Sequence, residues 1–227
     1  MALTRIFDEP DIEQLLAQNS SPPYGARDTA LIMGAVFWGL TPLELAMVRT
    51  ESIISPSGEF YRVWVLPADA AFNGKPREVH TEDQVLGYFE RYVKFRVKES
   101  WLLSNLHSHC GLDPYAAFFL TDKGKAFPVT ERKGKAGTYY PHSMNRQLKL
   151  LIDRSGLYGA TASSYRNSFI NLLHREGVTL IDLMDITGIS SKRSLESKIR
   201  PHESEVRESL NSIFSRVKFP KHLQEEI

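Results

Sequence analysis

The sequence predicts a mostly α-helical domain carrying one small antiparallel β-sheet, an α+β fold. Apolar residues recur at helical spacing through most of the chain. The period changes in the middle of the chain, where strand-like stretches flank the turn signature "NGKP".

The elements follow in order. "EPDIEQLLAQ" places Ile12, Leu15 and Leu16 on one face of a short helix, and "SSPPYG" ends it, because prolines and glycine do not continue a helix. "ARDTALIMGAVFWGL" is apolar on nearly all sides, which predicts a buried helix. "TPLELAMV" carries a full start signal: Thr41 as cap, Pro42 in the first position and Glu44 to close a capping box. A helix–turn–helix pair is therefore expected. "EFYRVWVLP" alternates and is rich in aromatic and β-branched residues, so it reads as a strand, and "AAFNGKPREVHT" adds a turn and a second strand. "TEDQVLGYFERYVKFRVKES" returns to helical spacing, with Val85, Tyr88, Phe89, Tyr92 and Phe95 on its apolar face. A third strand is expected at "YAAFFLTD" and a helix at "PHSMNRQLKLLIDRSGL", ending near Gly156. "SSYRNSFINLLHREG" and "TLIDLMDITG" supply two more helices. The last, at about 204–218, is amphipathic, with Val206, Leu210, Ile213 and Val217 on one stripe.

With 42% hydrophobic and 24% charged residues, the composition is that of an ordinary soluble domain, and no apolar run is long enough to cross a bilayer. The acidic residues in "MALTRIFDEPDIEQLL" argue against an export signal. One cysteine, Cys110, excludes an internal disulfide and fits a reducing cytosol. Net charge is only +1, so a nucleic-acid surface would have to be local. Residues 122–150 supply such a patch: Lys123, Lys125, Arg132, Lys133, Lys135, Arg146 and Lys149 are opposed only by Asp122 and Glu131. "SKRSLESKIR" is a second basic cluster. On charge alone both read as solvated loops. The run His107, His109, Cys110 matches no common zinc spacing, and no metal or cofactor is expected. Ser163 and Ser164 have no neighbouring His or Asp to make either a nucleophile. Arg166 has a purely structural reading, in which it pairs with Glu44 or another acid and ties two helices together.

Taken together, the motifs resemble the catalytic domain of the tyrosine recombinases, the phage-integrase family, over roughly residues 10 to 200. "RDTALIMGAVFWGLTPLELAMVRTESI" is similar to that family's first box, with its "TGLR..EL..L". "NGKPREVHT" is similar to its β-hairpin with a turn lysine. "AFFLTDKGKAFPV" and "SMNRQLKLLIDRSGL" resemble the segment between the boxes. "SSYRNSFINLLHREGVTLIDLMDITGISSKRSLES" is similar to the second box, "HxLRHSFATHLL..G.....I...LGH......Y". The resemblance implies DNA strand exchange, in which a tyrosine attacks the scissile phosphate while arginines, a lysine and histidines stabilise charge and move protons.

Carried onto this chain, the family's pattern is largely erased. Its first arginine falls on Thr41, its lysine on Lys75, the first histidine of the second box on Ser163 and the second arginine on Arg166. The residue after that arginine, commonly histidine, is Asn167. The later histidine or tryptophan falls on Ile189 and the nucleophile near Lys198, and no tyrosine follows Tyr165. Only Lys75 and Arg166 keep their type. Groups that act as a unit lose activity together, so strand exchange is not expected.

The resemblance then implies one recombinase-like domain over residues 1–227, without the family's N-terminal DNA-clamping domain. Duplex DNA is the expected partner, held weakly by the chain alone through Lys75, Arg77, Arg132, Lys133, Lys135, Arg146, Arg166, Lys192 and Arg193. A recombinase partner and self-association through the C-terminal helix are further expectations, as is a cytoplasmic, nucleoid-associated location in a bacterium. Two alternatives stand beside this reading: an active recombinase with a displaced or partner-supplied nucleophile, and a protein-interaction module on a recombinase scaffold.

Overall fold

The computed structural model describes residues 4–131, 139–201 and 203–216. Helix α1 (Glu9–Gln18) starts at Asp8, whose carboxylate accepts the Asp11 N–H. Helix α2 (Gly25–Phe37) is buried on almost every side, as its composition demands, and packs against α5 (Asp83–Lys98) and α7 (Ala162–Arg175). Between them, α3 (Pro42–Met47) has both halves of the expected capping box: Thr41 Oγ1 accepts the Glu44 N–H, and Glu44 Oε2 accepts the Thr41 N–H at 2.7 Å. A short α4 (Thr50–Ile53) follows.

The sheet is a hairpin of β1 (Val63–Leu66) and β2 (Arg77–His80), antiparallel, with Trp64 opposite Val79. Its buried face is moored to the aromatic core. The indole N–H groups of Trp38 and Trp64 both donate to Thr81 Oγ1, at 2.9 and 3.1 Å, and Trp38 stacks on Phe89 at 4.3 Å. The turn carrying Lys75 is thereby held against the helical body.

The segment 115–122 is not a strand. Phe118, Phe119 and Leu120 are consecutive and all fully buried, so no solvent face remains for alternation. Its backbone is satisfied by individual partners: Tyr92 Oη accepts the Leu120 N–H, Arg96 Nη1 donates to the Phe118 carbonyl, and the Val48 carbonyl accepts the Phe118 N–H. A second small hairpin, β3 (Thr130–Glu131) with β4 (Tyr139–Tyr140), is too short to have left a pattern in the sequence.

From residue 142 on, the described residues are mainly helical: α6 (His142–Arg154), α7, α8 (Leu180–Thr187), α9 (Lys192–Glu196) and α10 (Glu203–Phe214). A satellite core of Ile170, Leu183, Ile189 and Leu195 joins α7, α8 and α9. The basic cluster at 191–200 is therefore partly helix, capped by Ser191, and not a plain loop. The apolar stripe of α10 is uncovered, with Val206, Leu210, Ile213 and Phe214 all exposed. Val217 lies outside the described residues. Among the described residues no helix is long and apolar enough to cross a membrane.

Candidate functional site

The site forms where α3, α7, the Lys75 turn and the end of α8 meet. Gly39, in the turn before α3, permits that approach: its φ is +58°, and a Cβ there would lie 2.3 Å from the Phe169 ring on α7. The first turns of α3 and α7 can then face each other. Along α7, Ser163, Arg166, Asn167, Ile170 and Asn171 recur at the spacing of one helix face.

A carboxylate organises the inner side. Glu44 is fully buried, and Arg77 grips it with two bonds, Nη1 to Oε1 at 2.6 Å and Nη2 to Oε2 at 3.0 Å. Oε1 also accepts the Phe72 N–H at 3.2 Å, and Oε2 accepts the Thr41 N–H. Arg166 Nη1 stands 3.7 Å from Oε2, a Coulombic contact longer than a hydrogen bond. Burial pushes the Glu44 carboxyl pKa up, but the hydrogen bonds and charge of Arg77, the charge of Arg166 and the Thr41 N–H outweigh it, leaving it below the ordinary value.

The C-terminus of α8 supplies the second set of partners. Its last carbonyls have no intrahelical donors and carry the negative end of the helix dipole. Arg77 Nε donates to the Ile186 carbonyl at 3.1 Å, Arg166 Nη2 to that of Thr187, and Asn73 Nδ2 to that of Gly188 at 2.8 Å. Gly188 ends the helix in the left-handed conformation, φ +70°. Phe72 covers the face of the Arg166 guanidinium, 4.7 Å from its ring centroid. The arginine is only 7% exposed, and burial pushes its pKa down to about 10 against the pull of Glu44, with Arg77 adding repulsion. It remains charged at neutral pH. The sequence-based expectation of an Arg166–Glu44 pair holds.

The outer side is a cavity of about 230 Å³ bordered by Phe72 and by Thr41, Ser163, Arg166, Asn167, Ile189 and Lys198. The structure thus gathers around one hollow the residues assigned to the family's catalytic positions, Lys75 excepted. Lys75 lines an adjoining hollow of about 220 Å³, which shares Ile189. The Lys75 N–H donates to Asn73 Oδ1, so the side chain that anchors the turn to α8 also shapes it around Lys75.

Lys198 reaches the cavity because Asn171 pins its backbone. This buried asparagine donates to the Lys198 carbonyl at 2.9 Å and accepts the Arg200 N–H at 2.8 Å. The Lys198 ammonium is half-buried, its contact with Asn167 Oδ1 is long at 3.5 Å, and burial followed by the Arg166 charge lowers its pKa. Ser163 shares a 2.8 Å hydrogen bond with Thr161 at the rim.

Arg77 is buried with its guanidinium committed to Glu44 and α8, whereas Lys75, Arg146, Lys192 and Arg193 are exposed. Arg132, Lys133 and Lys135 lie outside the described residues. Tyr165, the tyrosine beside Arg166 in sequence, is a core residue. Its hydroxyl donates to the Leu148 carbonyl at 3.2 Å, and burial pushes its pKa far up. No tyrosine borders the cavity among the described residues. No group of His, Cys, Asp and Glu suited to a metal occurs among them either. Phe72, Asn73, Thr187 and Asn171 were missed in the sequence. Only Asn171 had a signal, its place on the Arg166 face of α7.

No protein-family model matches the sequence, and no curated protein matches it. Solved structures do. The chain is similar to a XerA recombinase (16% identity, TM-score 0.67, covering 96% of this chain and 67% of that one). It is also similar to a XerH site-specific recombinase bound to a palindromic difH substrate (17%, 0.64, 93% and 53%). A Tn1549 transposon integrase in complex with a circular intermediate DNA matches as well (14%, 0.60, 93% and 66%). The chain thus spans between about half and two thirds of the length of these proteins, and its fold is that of the tyrosine-recombinase catalytic domain.

Proposed function

We propose that this chain binds duplex DNA on a recombinase fold without performing strand exchange, as an accessory or regulatory factor in the recombination or integration of a mobile element. The observation that carries the reading is the cavity itself. It keeps a buried, oriented arginine, but a lysine, Lys198, stands where the resemblance places the attacking tyrosine. A phosphate can be held there, but among the described residues no side chain bordering the cavity is a phenol able to form the covalent link. Lys75, Arg146, Lys192 and Arg193 are its exposed phosphate contacts, and Arg77 acts indirectly by holding Glu44 and the hairpin in place. The XerH and Tn1549 structures contain DNA, which supports this choice of partner.

Mobility-shift titration on duplex DNA at two salt concentrations tests the reading. Binding that weakens steeply with salt is expected, and none at low salt would refute it. Incubation with a nicked suicide substrate tests the enzymatic rival. No protein–DNA adduct is expected, and a denaturation-resistant adduct would establish a displaced or partner-supplied nucleophile.

The exposed stripe of α10 favours self-association as well: Val206, Leu210, Ile213 and Phe214 are uncovered on one amphipathic helix. Sedimentation velocity of the full chain beside Leu210→Glu should show a concentration-dependent oligomer that the substitution abolishes.

A further inference from the structure

The cavity beside Arg166 holds more positive charge than its surroundings neutralise. Arg77 and Arg166 share one carboxylate, Glu44, and Lys198 borders the same cavity as Arg166. Arg77 already holds both oxygens of that carboxylate, and backbone N–H groups take further bonds to them. No acidic residue borders the cavity among the described residues. Arg166 therefore shares Glu44 with Arg77 at Coulombic distance only, and Lys198 has no carboxylate beside the cavity, in a half-buried place where like charges repel strongly.

Both cations have donors to spare. Arg166 Nε is buried with no hydrogen-bond partner, and Nη1 stands too far from Glu44 to bond it. The Lys198 ammonium has three protons and one long contact, to Asn167. The two residues are held differently but firmly. Phe72 lies across the guanidinium face and Thr187 takes one of its nitrogens, while Asn171 fixes the Lys198 backbone. The Ser163 hydroxyl stands at the rim, hydrogen-bonded to Thr161. A fixed guanidinium edge beside an ammonium and a hydroxyl matches a tetrahedral oxyanion, whose several oxygens accept from different directions.

We infer that Lys198 and Arg166 form a two-cation clamp for a phosphate group, with Lys198 as a phosphate ligand in its own right. The inference rests on the DNA-binding reading, which supplies the phosphodiester of a duplex as the source. A free phosphate-bearing small molecule offers the same chemistry.

The test uses the full chain and two readouts. Fluorescence anisotropy on a labelled duplex across a salt series gives the number of phosphates neutralised, since each contributes about 0.9 to the slope of log affinity against log salt. Lys198→Gln should lower that slope by about one contact and weaken binding several-fold, while Lys198→Arg should restore both. Thermal melting in inorganic phosphate, against chloride at equal ionic strength, is the second readout, and it also confirms that the variants fold. If the wild type binds duplex with a slope that Lys198→Gln leaves unchanged, and phosphate stabilises neither protein, the clamp is overturned and the DNA reading survives. If the wild type fails to bind duplex but phosphate stabilises it in a Lys198-dependent manner, the clamp stands, its source is a free phosphate, and the DNA reading falls.

Discussion

The two sides of the site are built from similar residues and behave oppositely. On the inner side, Glu44, Arg77 and the end of α8 form a network in which each carboxylate oxygen has a donor, as do the carbonyls of Ile186, Thr187 and Gly188. On the outer side, Lys198 and Arg166 border a hollow that no acidic residue lines among the described residues, and Arg166 Nε has no hydrogen-bond partner. One arginine, Arg166, belongs to both. The contrast separates charged groups that tie neighbouring elements together from those that border the hollow without an acidic neighbour among the described residues.

The sharpest way to break this contrast is on the inner side. Glu44→Gln leaves two buried arginines without a counter-charge, and should cost about 3–5 kcal/mol in urea unfolding followed by circular dichroism. A loss no larger than that of a surface substitution would contradict this. Acid should reproduce part of the same loss. Because the folded state holds the Glu44 pKa below its ordinary value, its contribution is fully present above about pH 4.3, the usual glutamate value, and disappears as pH falls through the lower folded value. The wild type should lose stability on that limb faster than Glu44→Gln, and parallel curves would contradict the assignment.

Thr41→Ala removes half of a capping box while leaving the Arg77–Glu44 pair intact, so about 1 kcal/mol is expected by the same measurement. A loss as large as that of Glu44→Gln would show that Thr41 supports the network beyond its cap. The smallest effect belongs to the surface. Leu210→Glu on α10 should change the stability of the monomer by no more than about 0.5 kcal/mol, because the side chain touches solvent. A larger drop at low protein concentration would show that the helix folds back on its own core.

Legibility in the sequence followed the range of the interaction. The α3 capping box could be read because its donors and acceptors lie three residues apart, and the β1–β2 hairpin because its turn and alternation are local. The pairing of Arg166 with Glu44 was foreseeable because a buried arginine needs an acid. The expected strand at 115–122 failed for a reason outside the segment: its carbonyls and N–H groups are met by Tyr92 and Arg96 from α5. Arg77 looked like a surface cation beside Lys75. In the fold it is buried, because the strand turns it inward onto α3 and α8.

The order of residues alone established the helical periods, the capped start of α3, the hairpin, the resemblance to a recombinase and the absence of any tyrosine after Tyr165, since each is written in neighbouring positions. Tertiary structure decided which cations are satisfied and which are not. Glu44, Phe72, Arg166, Thr187 and Lys198 come from distant parts of the chain, and burial and the distances between them set the charge left over in the cavity. Charges in a low-dielectric interior act through separation in space, which the order of residues does not record.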